Sequence, residues 1–360
     1  MTIYRCSACD LPYPPTGLPH VCPACGALFE AEDINYPGPA GAELTKHGMW
    51  AYRQSFGLAP DAPEVWLGEG ATALVSRQTS WGTFWFKCEQ FNPSGSFKDR
   101  GSSILVSVLR QRGVTRVIED SSGNAGASLS LYCAANQIEN RIYVPASASG
   151  VKRRQIEAVG SNIIAVPGPR ENAHQMALKA VSSEAIPYAS HALLPFGISG
   201  YATIFFEILE QLGQAPGTIV APVGHGSLFL GLLLGGEAAA RWEGRPMTTQ
   251  FLGVQPENCA PLVARWLGKP FGGMQGTSVA EGTQIEQPVR GAEIMLHLKK
   301  GRDQMISVTD PEILQARTEI TAMGFYVEPT SAMVWAAVKK TAIDLRPPVV
   351  LVLTGSGLKS

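Results

Sequence analysis

From Val65 onward the chain alternates short apolar runs with longer amphipathic stretches, and this alternation limits its fold more than any other feature. Residues 83–87, 116–119, 141–144, 162–166, 218–221, 250–254 and 348–353 read as strands, and 188–190 is a further candidate. Helical spacing runs over 102–112, 125–136, 152–159, 172–183, 201–212 and 227–241. Strands separated by helices of about ten residues or more build βαβ units and parallel sheets. The run 348–353 is apolar on both faces, as a central parallel strand is. The expected class is α/β, with two open parallel-sheet domains behind a small N-terminal module. About 330 residues follow that module, more than a single hydrophobic core usually holds.

Composition narrows the function. Glycine is 38 of 360 residues and charged residues are only 16%, which suits a large enzyme with many tight turns and excludes a coiled coil or a disordered chain. The charges, 29 basic against 30 acidic, give no basic surface for nucleic acid. The longest aliphatic run, Leu228 to Gly236, is too short to span a bilayer. The start of the chain has no basic stretch followed by an apolar one, so a cytoplasmic protein is expected.

Four of the seven cysteines lie near the start, as Cys6-x-x-Cys9 and Cys22-Pro-Ala-Cys25-Gly26. Two such knuckles offer four thiolates, the donor set of a tetrahedral structural zinc. The segment around them is polar and rich in Pro and Gly, and needs a staple to fold. Disulfides or free thiols are the alternatives, and disulfides conflict with a cytoplasmic location. His20 reads as a spectator, and Cys88, Cys133 and Cys259 as core residues. Residues 31–63 read as a linker with one short helix around Trp50.

Three loops follow expected strands and open helices, where open α/β sheets bind ligands. Asn92-Pro-Ser-Gly-Ser-Phe-Lys98 places a lysine at a helix start, where the positive end of the dipole favours a neutral amine able to form a Schiff base. Ser121-Ser-Gly-Asn124-Ala-Gly-Ala-Ser128 is a run of small residues suited to cradle a carboxylate. In Pro222-Val-Gly224-His-Gly226-Ser227-Leu228, two glycines let backbone amides converge on an anion such as phosphate. This spacing is neither a P-loop nor a dinucleotide fingerprint. His225 is either a general base or, more simply, a turn residue presenting its backbone.

Together these segments resemble the threonine synthase-like, fold type II pyridoxal-phosphate enzymes of the tryptophan synthase beta superfamily, over nearly the whole chain. Residues 67–74, Phe86-Lys-Cys-Glu89, Thr277-Ser-Val-Ala-Glu-Gly282, Val327-Glu-Pro-Thr-Ser331 and Leu353-Thr-Gly-Ser-Gly-Leu-Lys359 are similar to family segments in order and spacing. The resemblance implies pyridoxal 5'-phosphate as cofactor. Lys98 would bond it and later move the substrate proton, and Asn124 would hydrogen-bond its phenolic oxygen. Gly224, His225, Gly226, Ser227 and Leu228 would hold its phosphate, and Thr354 would meet the pyridine nitrogen. A hydroxyl leaves that nitrogen largely unprotonated, which favours elimination over transamination. Ser121, Ser122 and Ala125 would line the substrate carboxylate site.

The expected divisions are a zinc ribbon over 1–30, a linker and the start of the large domain over 31–82, a small α/β domain over 83–200, and a large α/β domain over 201–360. A lyase follows that removes the α-proton of a small amino acid and eliminates or replaces a side-chain group. A homodimer is also implied. Threonine synthase itself eliminates phosphate from O-phosphohomoserine and adds water. In residues 190–203, however, the Asn and Arg that help bind the substrate phosphate in that family are replaced by apolar residues or glycine. A charge-assisted anchor is thereby lost, and Lys152, Arg153 and Arg154 are candidates to replace it. The alternatives are a threonine/serine dehydratase, a cysteate-synthase-like enzyme, or a non-catalytic cofactor-binding relative.

Overall fold

The structure is a computed structural model that describes all residues except Met1, Ala40, 43–45, Ser149, Ala342 and Ile343. The chain forms two compact units. The first comprises Met1–Pro37, Gly41–Glu69 and Lys98–Gly200; the second comprises Gly38–Ala40, Gly70–Phe97 and Tyr201–Ser360. The sequence-based division places 83–97 with the small domain and 31–82 with a linker and the start of the large domain. Residues 83–97 instead pack with the C-terminal half, and 41–69 with the N-terminal one.

In the first unit, β1 (Ile3–Cys6) and β2 (Phe29–Glu32) form an antiparallel ribbon. Tyr4 and Tyr13 of the ribbon pack edge-on against Phe196, at 5.1 and 4.9 Å between ring centroids. The stretch 31–63 is no loose linker, although 40 and 43–45 lie outside the described residues. Ile34, Tyr36, Met49, Trp50, Tyr52 and Phe56 are all buried, and a 3-10 helix covers Gly48–Ser55. The Trp50 indole donates to the Val65 carbonyl and the Ser103 hydroxyl, each at 3.2 Å.

The parallel sheet of this unit runs β5 (Arg116–Glu119), β6 (Glu139–Pro145), β7 (Asn162–Val166). On the other side of β5, Tyr188 makes a single parallel bridge to Ile118, so the candidate strand at 188–190 is reduced to that bridge. Helices α1 (Lys98–Gln111), α2 (Asn124–Ala135), α3 (Val151–Ala158) and α4 (Arg170–Glu184) complete the unit. Helix α5 (Phe196–Leu212) starts upstream of the expected Tyr201, and the division of units falls within it.

The second unit is built on a six-stranded sheet. It contains β3 (Leu74–Thr79), β4 (Gly82–Lys87), β8 (Thr218–Pro222), β9 (Gln250–Pro256), β10 (Gln304–Val308) and β11 (Val349–Val352), in the order β10-β9-β8-β11-β4-β3. All neighbours are parallel except the edge strand β3, which pairs antiparallel with β4. Strands β8, β9 and β11 are buried along their whole length, the pattern of strands covered on both faces. Each fully buried aliphatic or aromatic side chain there contributes about 1.5–3 kcal/mol.

Helices α6 (Ser227–Trp242), α7 (Pro261–Trp266), α8 (Gly291–His297), α9 (Asp310–Ala322) and α10 (Pro329–Lys340) belong to this unit. Helix α9 carries a full capping box, with Thr309 and Glu312 satisfying each other's backbone amides. Among the described residues, no helix is long and apolar enough to cross a membrane.

Candidate active site

In the second unit, β8, β11 and β4 are neighbours and parallel. The chain runs outward from β8 to β9 and β10 on one side, and β11 and β4 lie on the other. That reversal is a switch point, where the carboxyl ends of strands leave a crevice. Three expected segments leave from it: 223–227 after β8, 353–356 after β11, and 88–97 after β4.

The loop after β8 enters the sixteen-residue α6. Gly226 has φ +101°, and a side chain there would sit 2.6 Å from Ile294 Cδ1 and 3.1 Å from Arg290 Cβ. A Cβ on Gly224 would lie 2.8 Å from the Gly282 carbonyl, in the 277–282 segment singled out in the sequence. Only glycine fits at both positions, so bare backbone surrounds the helix start, whose first amides have no partner within the helix. The His225 carbonyl accepts from the Arg290 amide at 2.9 Å, which holds His225 by its backbone.

Thr354 follows β11 and is 2% exposed, its hydroxyl 2.9 Å from the Ser331 hydroxyl. Ser331 also accepts from the Gly355 amide at 2.8 Å, so the turn cannot drift from α10. A Cβ on Gly355 would lie 2.2 Å from Glu328 Oε1. This turn pins the lysine segment: the Phe97 amide donates to the Thr354 carbonyl at 3.0 Å and the Ser356 amide to the Gly95 carbonyl at 2.9 Å. Lys359 donates to the Ser94 carbonyl at 2.7 Å. Lys98 is the next residue after Phe97.

Upstream, the buried Lys87 donates to Glu207 at 2.6 Å, to the Thr72 carbonyl at 2.8 Å and to Gln211 at 3.0 Å. Asn92 accepts from the Gly70 amide at 3.0 Å and donates to the Glu89 carboxylate at 2.9 Å. The early turn and the lysine segment are therefore tied to one scaffold.

In the first unit, Lys98 is the half-buried first residue of α1, and Asn124 is the first residue of α2. The two helices are coupled there, because Ser128 donates to Asp99 at 2.5 Å and lies 2.7 Å from the Ser102 hydroxyl. Gly126 explains the shape of the Ser121–Ala125 turn: a Cβ on it would sit 1.8 Å from the Ser121 carbonyl oxygen. Ser121 and Ala125 are buried, Ser122 and Asn124 half-buried, all in one turn. Arg153 is spent elsewhere, on Glu157 at 2.9 Å and the Ala148 carbonyl at 2.9 Å, and Arg154 is exposed.

Two acids precede this turn. Burial and the adjacent Asp120 push the Glu119 carboxyl well above the usual carboxylate range, partly offset by Arg170 and Lys98. For Asp120 the upward pull of burial is outweighed by the His174 hydrogen bond, Arg170 and Tyr188, so its carboxyl is held low. His174 Nδ1 lies 2.9 Å from Asp120, and the Tyr188 hydroxyl donates to the other oxygen at 2.8 Å. Sequence reasoning missed Glu119, Asp120, Ser331 and the Lys87–Glu207 pair. The sequence marks the segments around three of them, 86–89, 116–119 and 327–331, but gives these residues no role.

The sulfurs of Cys6, Cys9, Cys22 and Cys25 all lie within 4.8 Å of one another, with Cys6–Cys25 at 3.4 Å and Cys9–Cys22 at 3.7 Å. None is in a disulfide. A tetrahedral zinc with bonds of about 2.3 Å sets its sulfurs roughly 3.8 Å apart, so the donor set fits. Cys88, Cys133 and Cys259 are buried singly in the core.

A family profile described as pyridoxal-phosphate dependent enzyme matches residues 65–355. The threonine synthase of Mycobacterium leprae is 31% identical over 346 residues, covering 89% of this chain and 92% of its own. That of Methanocaldococcus jannaschii is 28% identical, covering 99% and 93%. Among solved structures, maize serine racemase superposes with a TM-score of 0.68 at 23% identity, covering 79% of this chain and 88% of its own. An L-serine ammonia-lyase from Rhizomucor miehei gives 0.68 at 21%, covering 83% and 96%. These two share the fold. The chain belongs to the pyridoxal-phosphate-dependent enzymes, as a lyase of the threonine synthase type.

Proposed function

We propose that the chain holds pyridoxal 5'-phosphate on Lys98 and uses it to eliminate or replace a side-chain group of a small amino acid. The supporting observation is the switch point of the second unit. There the glycine loop, the Thr354 turn and the segment ending at Phe97 leave neighbouring strands, and Phe97 is bonded to Thr354. The residues fit the cofactor, since the glycines at 224 and 226 leave a cradle that a Cβ would fill.

When bound, the cofactor supplies an electron sink for the charge left at Cα after proton removal. The remaining steps fall to the chain. Amides from Gly224 to Leu228 bind the phosphate, aided by the α6 dipole. Thr354, steadied by Ser331, offers a neutral hydroxyl to the ring nitrogen. Asn124 orients the phenolic oxygen, and Ser121, Ser122 and Ala125 hold the substrate carboxylate. Lys98, once displaced by the substrate, accepts the α-proton at Nζ and returns a proton later.

The four cysteines hold a structural zinc that leaves no open position for chemistry. The family resemblance is the ground for a cytoplasmic homodimer. Action on a phosphate leaving group, as in O-phosphohomoserine, is the first named activity. The dehydratase is the second, favoured because residues 190–200 contain no Lys or Arg to hold a substrate phosphate.

The test is product analysis with the purified holoenzyme. Phosphate released from O-phosphohomoserine identifies the first activity, and 2-oxo acids from serine or threonine the second. No product from any amino acid, with cofactor bound, would leave a non-catalytic relative.

A further inference from the structure

The first unit has a switch point of its own. Strand β5 lies between β6 and the bridge at Tyr188, and both neighbours run parallel to it. Two segments therefore leave the same sheet edge side by side: Glu119-Asp120-Ser121 after β5, and Ser190-His191 after Tyr188. They meet, because His191 Nδ1 lies 3.0 Å from Glu119 Oε1. Glu119 is 1% exposed, and its other oxygen, Oε2, has no hydrogen-bond partner among the described residues. A buried carboxylate oxygen left without a partner is costly and calls for an explanation. Glu119 stands two positions before Ser121 and within electrostatic reach of Lys98.

Resting on the lyase assignment above, we propose that Glu119 and His191 read the substrate's side chain and select a short hydroxyl amino acid over a phosphorylated one. A carboxyl that keeps its proton has one donor and spare acceptor capacity, and a hydroxyl can answer both. The raised carboxyl of Glu119 supports that form. A phosphate would instead set its negative charge beside Asp120, whose carboxyl is held low. The cations acting on the two carboxyls, Arg170 and Lys98, are already drawn to them. A site built to bond a hydroxyl rejects analogues that lack it, since its own polar groups are then left unpaired.

The test uses the holoenzyme and two variants, His191→Leu and His191→Gln, after thermal melting confirms that each is folded. The cofactor's visible absorbance is followed on mixing with L-serine, L-alanine and O-phosphohomoserine, and kcat and KM are measured for serine. The expected result is a wild-type preference for serine over alanine of about tenfold or more. In His191→Leu that preference disappears and the KM for serine rises about tenfold, with kcat and alanine binding nearly unchanged; His191→Gln restores part of it. An unchanged serine-to-alanine ratio in His191→Leu overturns the proposal, as does wild-type preference for O-phosphohomoserine. If no amino acid alters the absorbance, the lyase assignment falls as well. Alanine binding without discrimination by His191 sinks the selectivity alone.

Discussion

Two glycines three positions apart in one turn are predicted to respond very differently to the same added methyl, one strongly and one hardly at all. At Gly126 a Cβ would lie 1.8 Å from the Ser121 carbonyl oxygen, so relief to about 3.2 Å displaces that carbonyl by roughly 1.4 Å. Overpacking of this kind costs about 1–3 kcal/mol, partly offset by the better helix propensity of alanine. In a unit of about 170 residues this lowers Tm by roughly 3–10 °C. The displaced residue belongs to the proposed carboxylate site, and a shift of about 1 Å there costs up to roughly a hundredfold in kcat/KM. Gly123 differs: its φ is −99°, and the nearest atom to an added Cβ is Ser121 Oγ at 3.8 Å. Gly123→Ala should melt within about 1–2 °C of wild type. The assay is thermal melting of both variants, with amino-acid affinity read from the cofactor's absorbance. A Gly126→Ala protein that melts and binds like wild type would refute the packing argument.

Other outcomes follow from the same structure. Lys87→Met leaves the Glu207 carboxylate buried without its cation and should cost about 3–5 kcal/mol in urea unfolding, most of it regained in Lys87→Met/Glu207→Gln; equal instability of single and double variants would contradict this. Zinc analysis of reductively purified protein should find one ion per chain, and Cys22→Ser should lose it; metal-free, fully folded protein would contradict the ribbon's zinc. The His174 pKa is raised, chiefly by its hydrogen bond to Asp120, and that of Asp120 is held low. The histidine's contribution is complete below its unfolded pKa of about 6.5 and fades as pH rises through the elevated folded value; the aspartate's is complete above about 3.9 and fades below. His174→Gln should therefore lose about 1 kcal/mol near pH 5.5 and much less near pH 9, measured by urea midpoints, and a loss independent of pH would count against the ion pair.

What the sequence revealed and concealed has a physical pattern. The strands at 116–119 and 162–166 matched to the residue, and the central strands 218–222 and 250–256 nearly so, because apolar runs between turns carry their own signal. The short edge pieces β1, β2, β3 and β10 were missed, since their polar outer positions blur the alternation. Helices α7 to α10 were also missed, α7 and α8 being only 6 and 7 residues long. Lys98, Asn124 and the glycine loop were visible as dense runs of small residues at strand ends. Their supports were not. Ser331 lies 23 positions from Thr354, Glu119 72 from His191, and Lys87 120 from Glu207, separations that only the folded chain closes.

The central claim is that Lys98 carries the cofactor, and one measurement addresses it directly. The purified holoenzyme is reduced with borohydride, digested, and its peptides weighed. The predicted result is the reduced cofactor bonded to Lys98 alone, with neither the adduct nor the cofactor's visible absorbance in Lys98→Ala. A label on another lysine, or an unchanged adduct in Lys98→Ala, would contradict it.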